Sequence, residues 1–122
     1  MAKILVIDDE QDVLDSMKLL LESIGHKVET ALSGDNGIAK MREETYDLVL
    51  LDILMPKKSG IDVLQEIRED NALKNAKVAF LTVVPPSKEM EAIIRELKPA
   101  EDIVKPIDNK KFKKTIANLV GK

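Results

Sequence analysis

Four places in this chain carry residue types suited to chemistry: the acid run Asp8-Asp9-Glu10, the single acid Asp52, the hydroxyl of Thr82 and the ammonium of Lys105. Each directly follows a short apolar run, of which Leu48-Val49-Leu50-Leu51 ahead of Asp52 is the most uniform. Such a run between polar residues reads as a strand buried on both faces, the kind found inside parallel sheets. The polar group that ends it then sits at the rim of the sheet. Carboxylates gathered at one rim repel each other and destabilise the pocket unless a cation fills it. Magnesium takes one or two protein carboxylates, several waters and a phosphate oxygen, so Asp8, Asp9 and Asp52 suit Mg2+. A carboxylate also attacks phosphorus to give an aspartyl phosphate, and Asp52, at the end of the central strand, is the candidate nucleophile. Lys105 would pair with the new phosphoryl charge, and the Thr82 hydroxyl would hydrogen-bond a phosphoryl oxygen.

For these groups to meet, the intervening chain must alternate strands with helices. Strands are expected at residues 3–7, 26–31, 47–52, 77–82 and 103–104. Between them, Val13, Met17, Leu20 and Ile24 recur at helical spacing ahead of a stop at Gly25, and Ser33-Gly34-Asp35 opens a helix carrying Ile38, Ala39 and Met41. A third helix follows Ser59-Gly60 with Ile61, Val63, Leu64 and Ile67 inward, and leaves at Asn71 and Asn75. A fourth spans 88–97 around Ile93, Ile94 and Leu97, with Ser87 as its cap after the loop from Val83 to Pro86. Asp108 caps a fifth, with Phe112, Ile116, Leu119 and Val120 inward. Strict alternation predicts an α/β fold, a doubly wound five-stranded parallel sheet with five helices. In the flavodoxin-like order 2-1-3-4-5, strands one and three are neighbours, so Asp8-Asp9 and Asp52 share a pocket beyond the strand ends, with Thr82 and Lys105 on the same rim.

Composition narrows the function classes. The 122 residues make one domain, 1–122, with 44% hydrophobic and 34% charged residues. At 2% aromatic content, base-stacking platforms are not expected, and neither nucleic acid nor membrane is an expected partner. The absence of cysteine excludes thiol catalysis, disulfides and cysteine zinc sites. No secretory signal and no apolar stretch of bilayer length precede or interrupt the pattern, which points to the cytoplasm. The net charge of −3 is uneven: residues 98–122 hold seven lysines against three acids, on a body that is otherwise acidic. Such a tail is more often a solvated helix face than a docking face for an acidic partner or nucleic acid.

Taken together, Asp8-Asp9, Asp52 with Met55-Pro56, Ser59-Gly60, Thr82 and Lys105-Pro106 resemble the response-regulator receiver domain of two-component signalling, over essentially the whole chain. The resemblance implies that Asp52 accepts a phosphoryl group from a sensor histidine kinase or a phosphotransfer protein. It implies Mg2+ held by Asp9, Asp52 and the Leu54 carbonyl, with Asp8 acting through a metal-bound water. It also implies a switch that catalyses its own phosphorylation and dephosphorylation rather than a dedicated enzyme. With no effector segment after the fifth helix, output is expected in trans, through helix four, strand five and helix five, from a monomer or a phosphorylation-dependent dimer. Receivers of this family dock their kinases on helix one, where Leu14 either lies exposed or packs inward. His26, the lone histidine, reads as a surface residue away from the rim.

Two rivals share the fold. A flavodoxin-type protein would need a Ser/Thr/Gly-rich phosphate loop after strand one, where this chain has Asp8-Asp9-Glu10. A degenerate receiver serving only as an interaction module is at odds with intact Asp9, Asp52, Thr82 and Lys105. The chain also departs from the family pattern. Asp102 stands where receivers carry a switching aromatic ring, and Val83 is bulkier than the Ala or Gly usual after the Thr. Leu54 and Val84 occupy the positions that tune hydrolysis, and neither side chain accepts a hydrogen bond, so a long-lived phosphoryl group is expected.

Overall fold

The structure, a computed structural model, describes residues 2–82, 88–99, 101–104 and 108–121, with the backbone but not the side chains of 82, 89, 90, 101, 102 and 104. The elements alternate throughout: β1 (Lys3–Ile7), α1 (Gln11–Ser23), β2 (Lys27–Ala31), α2 (Gly34–Glu43), β3 (Leu48–Asp52), α3 (Gly60–Glu69), β4 (Val78–Thr82), α4 (Lys88–Leu97), β5 (Glu101–Val104) and α5 (Asn109–Leu119). The strands form a parallel sheet whose centre runs β2-β1-β3-β4, and β5 pairs along β4 from Ala79 to Thr82. This is the flavodoxin-like α/β fold expected from the alternation. The Ser87 cap and the loop from Val83 to Pro86 lie outside the described residues, as do Lys105 and Pro106.

β3 is buried at all five positions, because it lies between β1 and β4 and is covered on both faces. The period-two alternation of its side chains therefore sorts them between two cores rather than between core and water. On one face Val49 and Leu51 join Leu5, Ile7, Phe80 and the apolar sides of α2, α3 and α4. On the other, Leu48 and Leu50 join Ile4, Val6, Leu81 and the apolar sides of α1 and α5. Each fully buried aliphatic side chain contributes roughly 1.5–3 kcal/mol relative to exposure, which is how a core with little aromatic content holds.

Helix boundaries follow their caps. The Ser33 and Ser59 side chains accept from the backbone N–H of Asn36 and Asp62, and Asp108 accepts from those of Lys110 and Lys111. Three inward faces differ from the sequence expectation. On α1 the centre of the buried stripe is Leu14, Met17 and Leu21, while Val13, Leu20 and Ile24 flank it half-buried. Apolar residues fill both rows of that stripe, so spacing alone left its centre open by one residue. On α2, Ala39 faces solvent, and the inward positions beside Ile38 and Met41 include Gly37. A Cβ at Gly37 would stand 2.3 Å from Ile7 Cδ1 and 2.7 Å from its Cγ1, so a side chain there would force Ile7 of β1 to shift. On α4, Ile94 is buried but Ile93 is 49% exposed.

Arg68 ties the carboxyl ends of two helices together. Its guanidinium donates to the carbonyls of Leu97 and Lys98 at the end of α4, and to those of Lys74 and Ala76 ahead of β4, at 2.7–3.1 Å. Burial lowers its pKa. The carbonyls that close round it supply the compensating partial charge, favoured where helix dipoles end.

Candidate functional site

The parallel sheet brings the carboxyl ends of β1 and β3 side by side, with Ile7 registered against Leu51. The residues after them converge: carboxylate oxygens of Asp8, Asp9 and Asp52 all lie within 4.8 Å of one another. Asp8 and Asp52 are buried, at 1% and 5% exposure, whereas Asp9 opens to solvent. These are three of the residues whose spacing suggested a site.

Local structure holds each acid in place. The Asp8 backbone N–H donates to the Ala31 carbonyl at 3.1 Å, and Asp8 Oδ1 accepts from the Glu10 backbone N–H at 3.0 Å. Glu10 is the N-cap of α1 and makes no side-chain cap bond, so at that helix start the Asp8 carboxylate takes the cap's N–H while Asp12 stands in the first turn. Asp52 ends β3, and its Oδ1 accepts from the Leu54 N–H at a long 3.4 Å. The chain then turns: Met55 N–H donates to the Ile53 carbonyl, Lys58 N–H to that of Pro56, and Gly60 N–H to that of Ile53 at 2.8 Å. Lys57 sits at φ +67° in this turn, a left-handed conformation that costs a residue with a Cβ.

Two positioning features were not visible as such in the sequence. A Cβ at Gly60 would lie 2.2 Å from the Asp52 carbonyl oxygen and 2.8 Å from Ile53 Cα, so only glycine lets α3 start against the exit of β3. The sequence signal was there, a Ser-Gly pair after the Met-Pro turn, but its cause is a close approach in space. Lys58, in the same turn, reaches Asp35 of α2 at 2.8 Å and Glu66 of α3 at 2.6 Å, and both hydrogen bonds raise its pKa. It fastens the loop that follows Asp52 to two helices.

Of the remaining expected residues, Thr82 is the last residue of β4, registered against Val104 of β5, which puts its backbone at the same end of the sheet as Asp52. Lys105 lies outside the described residues. Leu54 is 56% exposed beside the acids. Leu14 packs in the core at 1% exposure and offers no docking surface. His26 is half-buried at the amino end of β2, where its Nδ1 accepts from the Ala2 N–H at 3.1 Å, so it is not the surface residue expected.

The donor set is all oxygen, three carboxylates with the Leu54 backbone close by, which matches a hard divalent cation. Ligands on opposite sides of a magnesium ion at roughly 2.1 Å lie about 4 Å apart, so the carboxylate spacing fits with little adjustment. A residue cradle of this kind also suits phosphoryl chemistry, where positioning and charge neutralisation supply most of the catalysis.

Comparison with known proteins agrees with the geometry. Residues 4–117 match the family model described as the response regulator receiver domain. Protein PilH of Pseudomonas aeruginosa is 32% identical over 99% of this chain and 100% of its own length. The transcriptional regulatory protein DltR of Streptococcus agalactiae is 40% identical over 66% of the chain and 35% of its own length. The chain spans 19–35% of the length of the first curated relatives it matches. Among solved structures, the response regulator protein TrrA of Thermotoga maritima in complex with Mg(2+)-BeF superposes with a TM-score of 0.82 at 33% identity, covering 98% of this chain and 99% of that one. Among the described residues, no helix is long and apolar enough to cross a membrane.

Proposed function

The chain belongs to the response regulator receiver domains of two-component systems, and from that premise we propose that Asp52 is its phosphoacceptor and that residues 1–122 act as one phosphorylation-dependent switch. The observation that carries the reading is the convergence of Asp8, Asp9 and Asp52 at the ends of adjacent strands. A carboxylate oxygen of Asp52 attacks the phosphorus of a phosphohistidine on a sensor histidine kinase or phosphotransfer protein. The O–P bond forms as the P–N bond breaks, and the electron pair stays on the imidazole, which takes up a proton. In the reverse sense of the switch, water attacks the same phosphorus, inorganic phosphate leaves, and the Asp52 carboxylate is restored.

Asp9, Asp52 and the Leu54 carbonyl would hold Mg2+ directly, and Asp8 would do so through a water; the Mg(2+)-BeF complex of the Thermotoga relative supports this choice of ion. When bound, the ion neutralises the clustered carboxylates and the charge on the transferring group. The Lys105 ammonium pairs with the phosphoryl group, and the Thr82 hydroxyl donates to one of its oxygens. Leu54 gives an attacking water no side-chain hydrogen bond, so the aspartyl phosphate is long-lived; Leu54→Asn should shorten its measured decay, and an unchanged rate rejects this part.

With Asp102 in the ring position, the signal passes from Thr82 to α4, and output in the cytoplasm runs through α4, β5 and α5 to a protein bound in trans, from a monomer or a phosphorylation-dependent dimer. Acetyl phosphate with magnesium tests the phosphoacceptor directly. Intact-protein mass spectrometry should find one added phosphoryl group, lost in Asp52→Asn and on chelation. Labelling that survives either change would overturn the assignment.

A further inference from the structure

We infer that the outward face of α5 docks an acidic protein segment, a reading that rests on output through that surface and gives its partner a chemistry. Phe112 and Ile116 anchor the helix to the sheet, and Lys110, Lys111, Lys113 and Lys114 are all exposed. At helical spacing these four cover one continuous side, because 110 neighbours 113 at i+3 and 114 at i+4, and 111 neighbours 114 at i+3. No acid interleaves them, since Asn109–Leu119 contains none.

That arrangement works against the helix itself. Like charges at these spacings repel, and Lys110 and Lys111 stand in the first turn, where the helix dipole favours acids. α1, α2 and α3 each carry an acid there, Asp12, Asp35 and Asp62, and α5 has none. The carboxylate nearest in sequence, Asp108, is engaged with the backbone N–H groups of Lys110 and Lys111. Some cations elsewhere on the molecule find carboxylates, as Lys3, Lys40, Arg42 and Lys58 do. Among the described residues none of the four α5 lysines forms an ion pair. The face is therefore unfavourable alone and relieved by an external anion.

Charge complementarity chooses the kind of anion. The chain carries −3 overall, while residues 98–122 hold seven lysines against three acids and the rest is net acidic, so a long polyanion or a charged membrane also meets the acidic body. Screening over about 8 Å at physiological salt limits a short acidic segment to the lysine face. Carboxylates spaced along one or two turns of a partner helix or loop meet this need.

The test uses the full chain, isotopically labelled, titrated with a synthetic peptide alternating glutamate pairs with leucine, and in parallel with duplex DNA and with phosphatidylserine-containing vesicles. Backbone amide shifts should centre on Lys110–Lys114, weaken with added salt, and require about tenfold more peptide in Lys110→Gln/Lys114→Gln, while Lys18→Gln on α1 leaves them unchanged. No shift at millimolar peptide, an equal loss in Lys18→Gln, or tighter binding of duplex or vesicles than of peptide each overturns the inference. Labelling of Asp52 is read on the same samples. Peptide binding without labelling counts against the phosphoacceptor alone, and labelling without peptide binding counts against the α5 surface alone.

Discussion

The two ends of the sheet treat charge in opposite ways. At the amino ends of β1 and β3, opposite charges interlock: Lys3 Nζ lies 2.6 Å from Glu44 and 3.7 Å from Glu29, Lys40 lies 3.7 Å from Glu29, and the Tyr46 hydroxyl donates to both glutamates. A hydrogen bond shared with the Glu29 carboxyl, then one accepted from Lys3, holds the Glu44 carboxyl down at about 2, and burial first, with Glu29 second, pushes the Tyr46 hydroxyl well above its ordinary range. At the carboxyl ends, carboxylates of one sign are pressed together, two of them buried. One end pairs its charges within the folded chain, and the other gathers three acids whose crowding suits the cation and phosphoryl group of the proposed function.

The contrast breaks most sharply at Gly60. If the rim depends on α3 starting against the Asp52 carbonyl, Gly60→Ala forces the two apart and should cost about 2 kcal/mol, in the range of overpacked sites, with slower Asp52 labelling. Calorimetry beside the labelling assay checks both, and a variant as stable and as active as the parent removes this account. A smaller effect of opposite sign is expected from Asp8→Asn. Removing one of three crowded charges should stabilise the metal-free protein by about 1 kcal/mol, roughly 4 °C in Tm, while shrinking the rise in Tm that magnesium produces. If Tm falls instead, the rim is not under repulsion.

The smallest effect belongs to the other end. The carboxyl of Glu44 titrates lower in the folded chain than its ordinary 4.5, so its contribution is complete above that pH and drains away as pH falls towards about 2. Glu44→Gln should flatten this acid limb of stability, by little because the group is exposed. An unaltered limb would mean the interlocked charges contribute nothing. Lys3 shifts the other way, chiefly through Glu44, and its contribution holds below 10.5 and fades above it.

Much of the rim is legible because acids interrupt apolar runs abruptly, so the sequence itself puts Asp8, Asp9 and Asp52 at strand ends. Ser33 and Asp108 announced helix starts by their own chemistry. What escaped depends on distances between segments far apart in the chain. Gly37 and Gly60 report how near a helix lies to a strand, and a sequence records only that a side chain is missing. The Lys3, Glu29, Glu44 and Tyr46 cluster draws on β1, β2, the end of α2 and the approach to β3, which no periodicity joins. The stripe on α1 had two equally apolar rows, and packing chose the one through Leu14.

The Arg68 clamp gives α4 a pivot. Its carboxyl end, at Leu97 and Lys98, is pinned by a guanidinium that α3 supplies, and a single ammonium in its place would not span the four carbonyls. A rod fastened at one end swings rather than slides, so a push delivered near Lys88 is magnified there and nearly silent at Leu97. Amide exchange in Arg68→Lys should rise first at Lys98, whose N–H donates to the Ile94 carbonyl in the last turn. The helix then behaves as a pointer whose hinge lies at its far end from the acidic rim.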